Sequence, residues 1–269
     1  MRSVCKKLIL CLGVCILLLS VLSSCEADFS VGFIREKELK GTPVTKEIPL
    51  PYDANEGLYL SIAMNISEDD GVRVTVLPIE DGKEPSALIT YPKDLDDYDF
   101  SATFTGDALA LVAEDKYRFS CNMKVMDIVL YADLRGCTLS GAMDIEMDYH
   151  RPCESLDLTV NGAAECEIEG LDCKELDVTC NGASALSVDG VADTFVLTLN
   201  GAGDVEATDL KATTCEVAIH GAGNAEVYAS KNLKVGIYGV GSVFYLGDPL
   251  VEQTIGGAGS VKKLQDRDI

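Results

Sequence analysis

The 269-residue chain has no tryptophan, two histidines, and 22 lysines and arginines against 44 aspartates and glutamates. Each shortage bears on a class of function. Without tryptophan, the usual platform for stacking a sugar ring is missing. His150 and His220 lie far apart, so neither completes a Ser-His-Asp set, and no Gly-x-Ser-x-Gly elbow occurs. A formal net charge of −22 is opposite to what neutralising phosphates requires, which excludes nucleic acid as a partner. The bland account of the acidity is a solvated exterior that keeps the protein soluble. The densest acidic run, Asp94 to Asp99, lacks the glycine and closing glutamate of an EF-hand loop. No set of cofactor or metal ligands is legible, and no amphipathic helix follows the first 24 residues.

Glycine is plentiful, and it recurs. Leu156–Ala163 reads Leu-Asp-Leu-Thr-Val-Asn-Gly-Ala, Leu176–Ala183 reads Leu-Asp-Val-Thr-Cys-Asn-Gly-Ala, and Phe195–Ala202 reads Phe-Val-Leu-Thr-Leu-Asn-Gly-Ala. The anchor glycines are Gly141, Gly162, Gly182, Gly201, Gly221, Gly239 and Gly257, spaced 21, 20, 19, 20, 18 and 18 residues apart. A near-constant period of this size is the mark of a solenoid. Two residues before each anchor stand Leu139, Val160, Cys180, Leu199, Ile219, Ile237 and Ile255, all apolar. The columns four and six before, and four after, are apolar too, apart from Arg135 and Gln253. Apolar residues at every second position predict half-buried strands, at least two per turn, which bury a core only by stacking on neighbouring turns. The anchors read as bends at positive φ, where glycine carries no Cβ penalty. Asn161, Asn181 and Asn200, one before their anchors, predict an amide ladder that His220 extends.

The chain opens with Arg2, Lys6 and Lys7 and an apolar run from Leu8 to Leu22, the anatomy of a secretory signal. Leu22-Ser23-Ser24-Cys25 then resembles the lipobox of bacterial lipoproteins, in which the cysteine is diacylated and becomes the mature first residue. Two acyl chains anchor a protein stably to a membrane. The expected organisation is a leader over 1–24, a tether over 25–43, and a β-helical domain over 44–264 whose regular turns occupy about 135–264. Removing Arg2, Lys6 and Lys7 takes the 22 bases to 19 against 44 acids, a net of −25. Glu26 and Asp28 resemble the acidic start of surface-export signals and favour the outer surface over the periplasmic face. From 29 to 119 the glycine period is absent, although Leu58–Met64, Val72–Val76 and Ala108–Val112 alternate as strands. This part reads as an irregular start to the solenoid or as a sheet capping it. Lys262, Lys263 and the charged tail Gln265–Ile269 are expected to close the other end.

The residues that could carry chemistry are few. Asp157, Asp177, Asp204 and Glu206 are candidate neighbouring acids, with Arg118, Arg135 or Arg151 as base or clamp. Paired carboxylates can split their pKa values into an acid and a base, though an outward carboxylate is more often part of a solvated face. Tyr228, Tyr238 and Tyr245 are a candidate contact surface, with core filling as the alternative. Of the seven cysteines after Cys25, Cys137, Cys166, Cys180 and Cys215 fall in inward columns, and Cys166-x6-Cys173-x6-Cys180 lacks the close pairs of a zinc site. Cys153 and Cys173, each nine before its anchor, are the pair placed for a disulfide.

The run of Asn-Gly-Ala and Gly-Ala-Gly, with Gly239-Val-Gly-Ser-Val243, Tyr245-Leu-Gly-Asp-Pro249 and Gly257-Ala-Gly-Ser-Val261, resembles the putative auto-transporter adhesin head GIN domain family over roughly Val44 to Leu264. The resemblance implies a right-handed parallel β-helix and an envelope protein, commonly a lipoprotein, of Bacteroides-type bacteria. It brings no catalytic residues with it. The expectation is a non-enzymatic, outer-membrane-anchored protein that contacts a glycan or a surface protein. The alternative is a polysaccharide-binding or polysaccharide-degrading β-helix.

Overall fold

Alternating apolar residues commit the chain to strands, and the computed structural model is 75% strand against 3% helix. It describes residues 35–265, apart from 53–56, 67–70, 80–82, 115 and 122–124. The expected leader, Cys25 and the first part of the expected tether lie outside the described residues. The remaining tether is already structured. Strand β1 (Arg35–Glu38) pairs with a later strand, and Leu39 is buried.

The N-terminal strands are β2 (Pro43–Pro49), β3 (Leu58–Ala63), β4 (Asn65–Ile66), β5 (Val72–Leu77), β6 (Ser86–Pro92), β7 (Ser101–Thr105), β8 (Ala108–Val112), β9 (Tyr117–Ser120) and β10 (Met126–Tyr131). The repetitive part follows as β11 (Leu134–Ser140), β12 (Ala142–Tyr149), β13 (Cys153–Val160) and the long bent strands β14 (Ala163–Cys180), β15 (Ala183–Leu199), β16 (Ala202–Ile219) and β17 (Ala222–Ile237). β18 (Val240–Leu246), β19 (Leu250–Ile255) and β20 (Ala258–Lys263) complete it.

From β11 onward every pairing between these strands is parallel and joins residues one turn apart. Leu156 lies on Leu176, Leu176 on Phe195, Phe195 on Cys215, and Cys215 on Leu233. The seven glycine corners bound about six turns of a parallel β-solenoid. Up to Ile237 the inward columns are buried almost completely. Arg135 does not break its column, because a bulge expels it and lets Leu134 fill the place over Leu58.

The N-terminal part is both of the things the sequence allowed. β3 stacks parallel under β11 and over β8, while β5 stacks under β12 and over β10, so the core continues through them. Antiparallel strands then close that end: β6 on β10, β2 on β6, and β7 on β8. β1, β9 and β4 form a separate three-stranded parallel sheet. The acidic run Asp94–Asp99 lies mostly in a 3₁₀ turn, Lys93–Tyr98. Asp94 accepts the Lys40 amide and Asp96 accepts the Tyr91 hydroxyl and pairs with Lys46.

The anchor glycines require a correction. Gly141 alone of the seven has a positive φ, 123°. The others are glycine because the turns touch. A Cβ on Gly162, Gly182, Gly201, Gly221, Gly239 or Gly257 would overlap the carbonyl oxygen of the anchor glycine one turn below. Those carbonyls are held in place by the next turn's amides: Gly162 O accepts from Ala183 at 3.0 Å and Gly182 O from Ala202 at 2.9 Å. Hydrogen bonding fixes the oxygen, and the oxygen excludes the side chain.

Candidate functional site

In-register stacking at about 4.8 Å sets like residues on like. At the glycine corner Asn181 donates through Nδ2 to Asn161 Oδ1, and Asn200 through Nδ2 to Asn181 Oδ1, both at 2.9 Å. This is the expected amide ladder. His220 does not extend it: its ring stacks on Tyr238 instead, centroids 5.0 Å apart and planes within 10°.

The candidate acids do not form one cluster. Asp157 and Asp177 are register partners on adjacent turns, and the Asp177 carboxyl is raised by partial burial first and by Asp157 and Glu175 next. Farther along the same column Glu216 pairs with Lys234 at 3.0 Å. Asp204 stands beyond the glycine corner on another strand and accepts from Asn224 Nδ2 at 2.9 Å. Glu206, two residues on, shares that strand. The three tyrosines also separate. Tyr245 stacks over Val227 against the core, Tyr228 carries Lys211 over its ring at 4.7 Å, and Tyr238 stays at the exposed corner. Alternation sends Tyr228 and Tyr245 to opposite sides of the sheet, so no tyrosine strip forms.

The side of the solenoid away from the glycine corners holds a groove of about 490 Å³. Its floor is the stacked pair Cys153 and Cys173 with Ala192 on the next turn, and its rims carry Arg151, Lys174 and Lys211 with Asp133, Glu154, Asp172 and Asp193. Several charges are spent on one another: Lys174 on Glu154 at 2.6 Å, and Asp133 on Arg135 at 3.4 Å. Arg151, Asp172 and Asp193 make no ion pair among the described residues. Of the candidate bases, Arg151 thus lines the groove, Arg135 reaches it through Asp133, and Arg118 sits apart in β9.

Cys153 and Cys173 are register partners on adjacent turns, with no bond between them in the structure. The Cys173 thiol lowers the pKa of Cys153 by hydrogen bonding to it, and its own pKa is raised by that same bond. Cys137, Cys166, Cys180 and Cys215 are buried in the inward columns, and burial raises each thiol, Cys137 to about 12. Among the described residues no group of three or more His, Cys, Asp or Glu is placed to hold a metal.

The groove is what sequence reasoning missed. Its signal is the uneven period: register shifts fall between Ile168 and Leu171, Ser187 and Gly190, and Ala207 and Ala212. Turns of 18 to 21 residues can keep the glycine corner in register only by absorbing the difference on the far side.

The profile of the family described as putative auto-transporter adhesin, head GIN domain matches residues 65–249. Among solved structures, a putative adhesin from Bacteroides fragilis aligns with a TM-score of 0.69 at 21% identity, covering 85% of this chain and 100% of its own. A putative lipid binding protein from Parabacteroides distasonis aligns at 0.60 and 20% identity, covering 86% and 100%. A putative adhesin from Parabacteroides merdae aligns at 0.54 and 17% identity, covering 86% and 100%. At these identities the likeness establishes the fold. No curated protein matches the sequence.

Proposed function

The chain belongs to the putative auto-transporter adhesin, head GIN domain family, and from that premise we propose that it is a non-enzymatic adhesive protein held at the cell envelope by a lipid on Cys25. The observation that carries the reading is how the repeat spends its residues. Corner glycines, asparagine ladder and apolar columns all serve stacking. What they build is a rigid lattice of outward side chains at strand spacing, suited to many weak contacts made together. The Leu22–Cys25 motif supports the anchor, and the acidic residues after it support the outer surface.

One observation favours a second reading, a polysaccharide-active protein. The groove is lined by Arg151, Asp172 and Asp193, all without ion-pair partners among the described residues, and in such a groove an arginine can hold the carboxylate of a sugar acid while an aspartate gives or takes a proton. Cells displaying the chain separate anchoring from adhesion. Labelled palmitate is expected in the wild type and not in Cys25→Ala, and attachment to glycan- or protein-coated surfaces is expected to fall with it. Equal labelling would rule out the anchor, and equal attachment would rule out the adhesive role.

A further inference from the structure

The two ends of the solenoid are finished differently. At the N-terminal end, antiparallel β6, β2 and β7 close the stack. At the other end β19 pairs with β17 and β20 with β18, and no described strand lies beyond either. Among the described residues nothing pairs with their outer N–H and C=O groups, which can template another chain. Among the described residues nothing covers the apolar columns there, residues 266–269 of the expected closing tail lying outside them. Val251 continues the column of Leu233 and Ile255 that of Ile237, yet Val251 is 37% and Ile255 43% exposed where their partners below are buried. Leu250, beside them, is 77% exposed. Val251 and Ile255, open at the head of two core columns with Leu250 beside them, mark a surface meant to be covered.

The charges indicate the occupant. β19 carries Glu252 and no base, and β20 carries Lys262 and Lys263 and no acid. Lys263 is bound to Asp248 at 3.1 Å, Lys262 has no ion pair among the described residues, and Glu252 stands over Lys234, whose charge it favours without a direct ion pair. A uniformly acidic or basic partner would suit one edge and repel the other. A second copy suits both, because a twofold axis across the end reverses the direction of the strands and can set each β19 antiparallel to the other copy's β20.

We propose that the C-terminal end of the solenoid is a self-complementary docking surface for a second copy of this chain. The contact stands on this geometry alone. Its cellular consequence, tip-to-tip adhesion between chains whose β1 lies at the capped end, rests on the adhesive reading above.

Sedimentation velocity of the full chain in mild detergent tests the contact. The expected result is a monomer–dimer equilibrium that moves to dimer with concentration. Val251→Lys, shown by its melting curve to stay folded, is expected to give monomer at every concentration. Lys262→Glu should weaken the dimer by about tenfold, and adding Glu252→Lys to it should restore the dimer by exchanging the charges. Lys174→Glu, in the groove, should change nothing. A wild type that stays monomeric, a dimer indifferent to Val251→Lys, or one dissolved by Lys174→Glu overturns the proposal. Dimers without adhesion of the cells that carry them would leave the docking surface standing and end the adhesive reading.

Discussion

The carbonyl oxygen of Gly182 occupies the space that a Cβ on Gly201 would need. That oxygen cannot withdraw without losing the Ala202 amide it accepts at 2.9 Å, so each corner glycine is required by contact between turns. Gly201→Ala must therefore push two turns apart and should cost about 3 kcal/mol, lowering the melting temperature by roughly 6–12 °C at this chain size. Gly106 supplies the contrast. It has a φ of 67° and open space where a methyl group would go, so Gly106→Ala carries backbone strain alone, about 1 kcal/mol. Thermal melts of the two variants should differ clearly, and equal losses would show that the corners are governed by dihedral angle after all.

Asn181 sits in the middle of the corner ladder, donating to Asn161 and accepting from Asn200. Asn181→Ala removes two side-chain bonds and Asn161→Ala removes one. At about 1 kcal/mol or less per exposed bond, the first variant should melt lower than the second. The reverse order would mean that the ladder adds nothing to stability.

How much of the fold and the groove is legible in the sequence follows from what stacking constrains. The inward columns Leu156-Leu176-Phe195 and Val160-Cys180-Leu199 can be read because burial permits few residue types and the period repeats them. The glycine positions are legible for the same reason, but their cause is not, since a turn and a close backbone contact ask for the same residue. His220 resembles a rung of the ladder because it shares the asparagines' position, yet its ring stacks on Tyr238, another flat ring, one turn on. Asp204 resembles a neighbour of Asp177 because linear distance does not show which side of the corner a residue is on. The groove is hidden in the small differences between period lengths.

Buried thiols give the chain an alkaline limit. The Cys137 pKa rises from 9.0 to about 12 on folding through burial, and Cys166, Cys180 and Cys215 are raised for the same leading reason. Their contribution is intact below the unfolded value. It is lost as pH climbs from about 9 towards about 12, because the unfolded chain releases protons that the fold retains. Denaturant midpoints should fall over that window, and less steeply in Cys137→Ala. A flat profile across it would place these thiols in a more polar setting than the columns provide.

Cys153 and Cys173 are expected to differ from those four, being paired across adjacent turns at the floor of the groove. A disulfide-class oxidant should take two electrons, and the two thiol protons should leave, to form a single bridge between them. Mass spectrometry of the unreduced chain should find that bridge or none. A bridge between any other two of the seven would contradict the observed register.

On the adhesive reading the chain holds its ligand and leaves it intact. Offering the purified full chain an array of glycans and surface proteins, and reading both retention and newly released reducing ends, separates holding from cleaving in one assay. Retention with no release is expected, in the wild type and in Asp172→Asn alike. Release of reducing ends by the wild type, abolished by Asp172→Asn or Asp193→Asn, would contradict that reading and make the groove an active site.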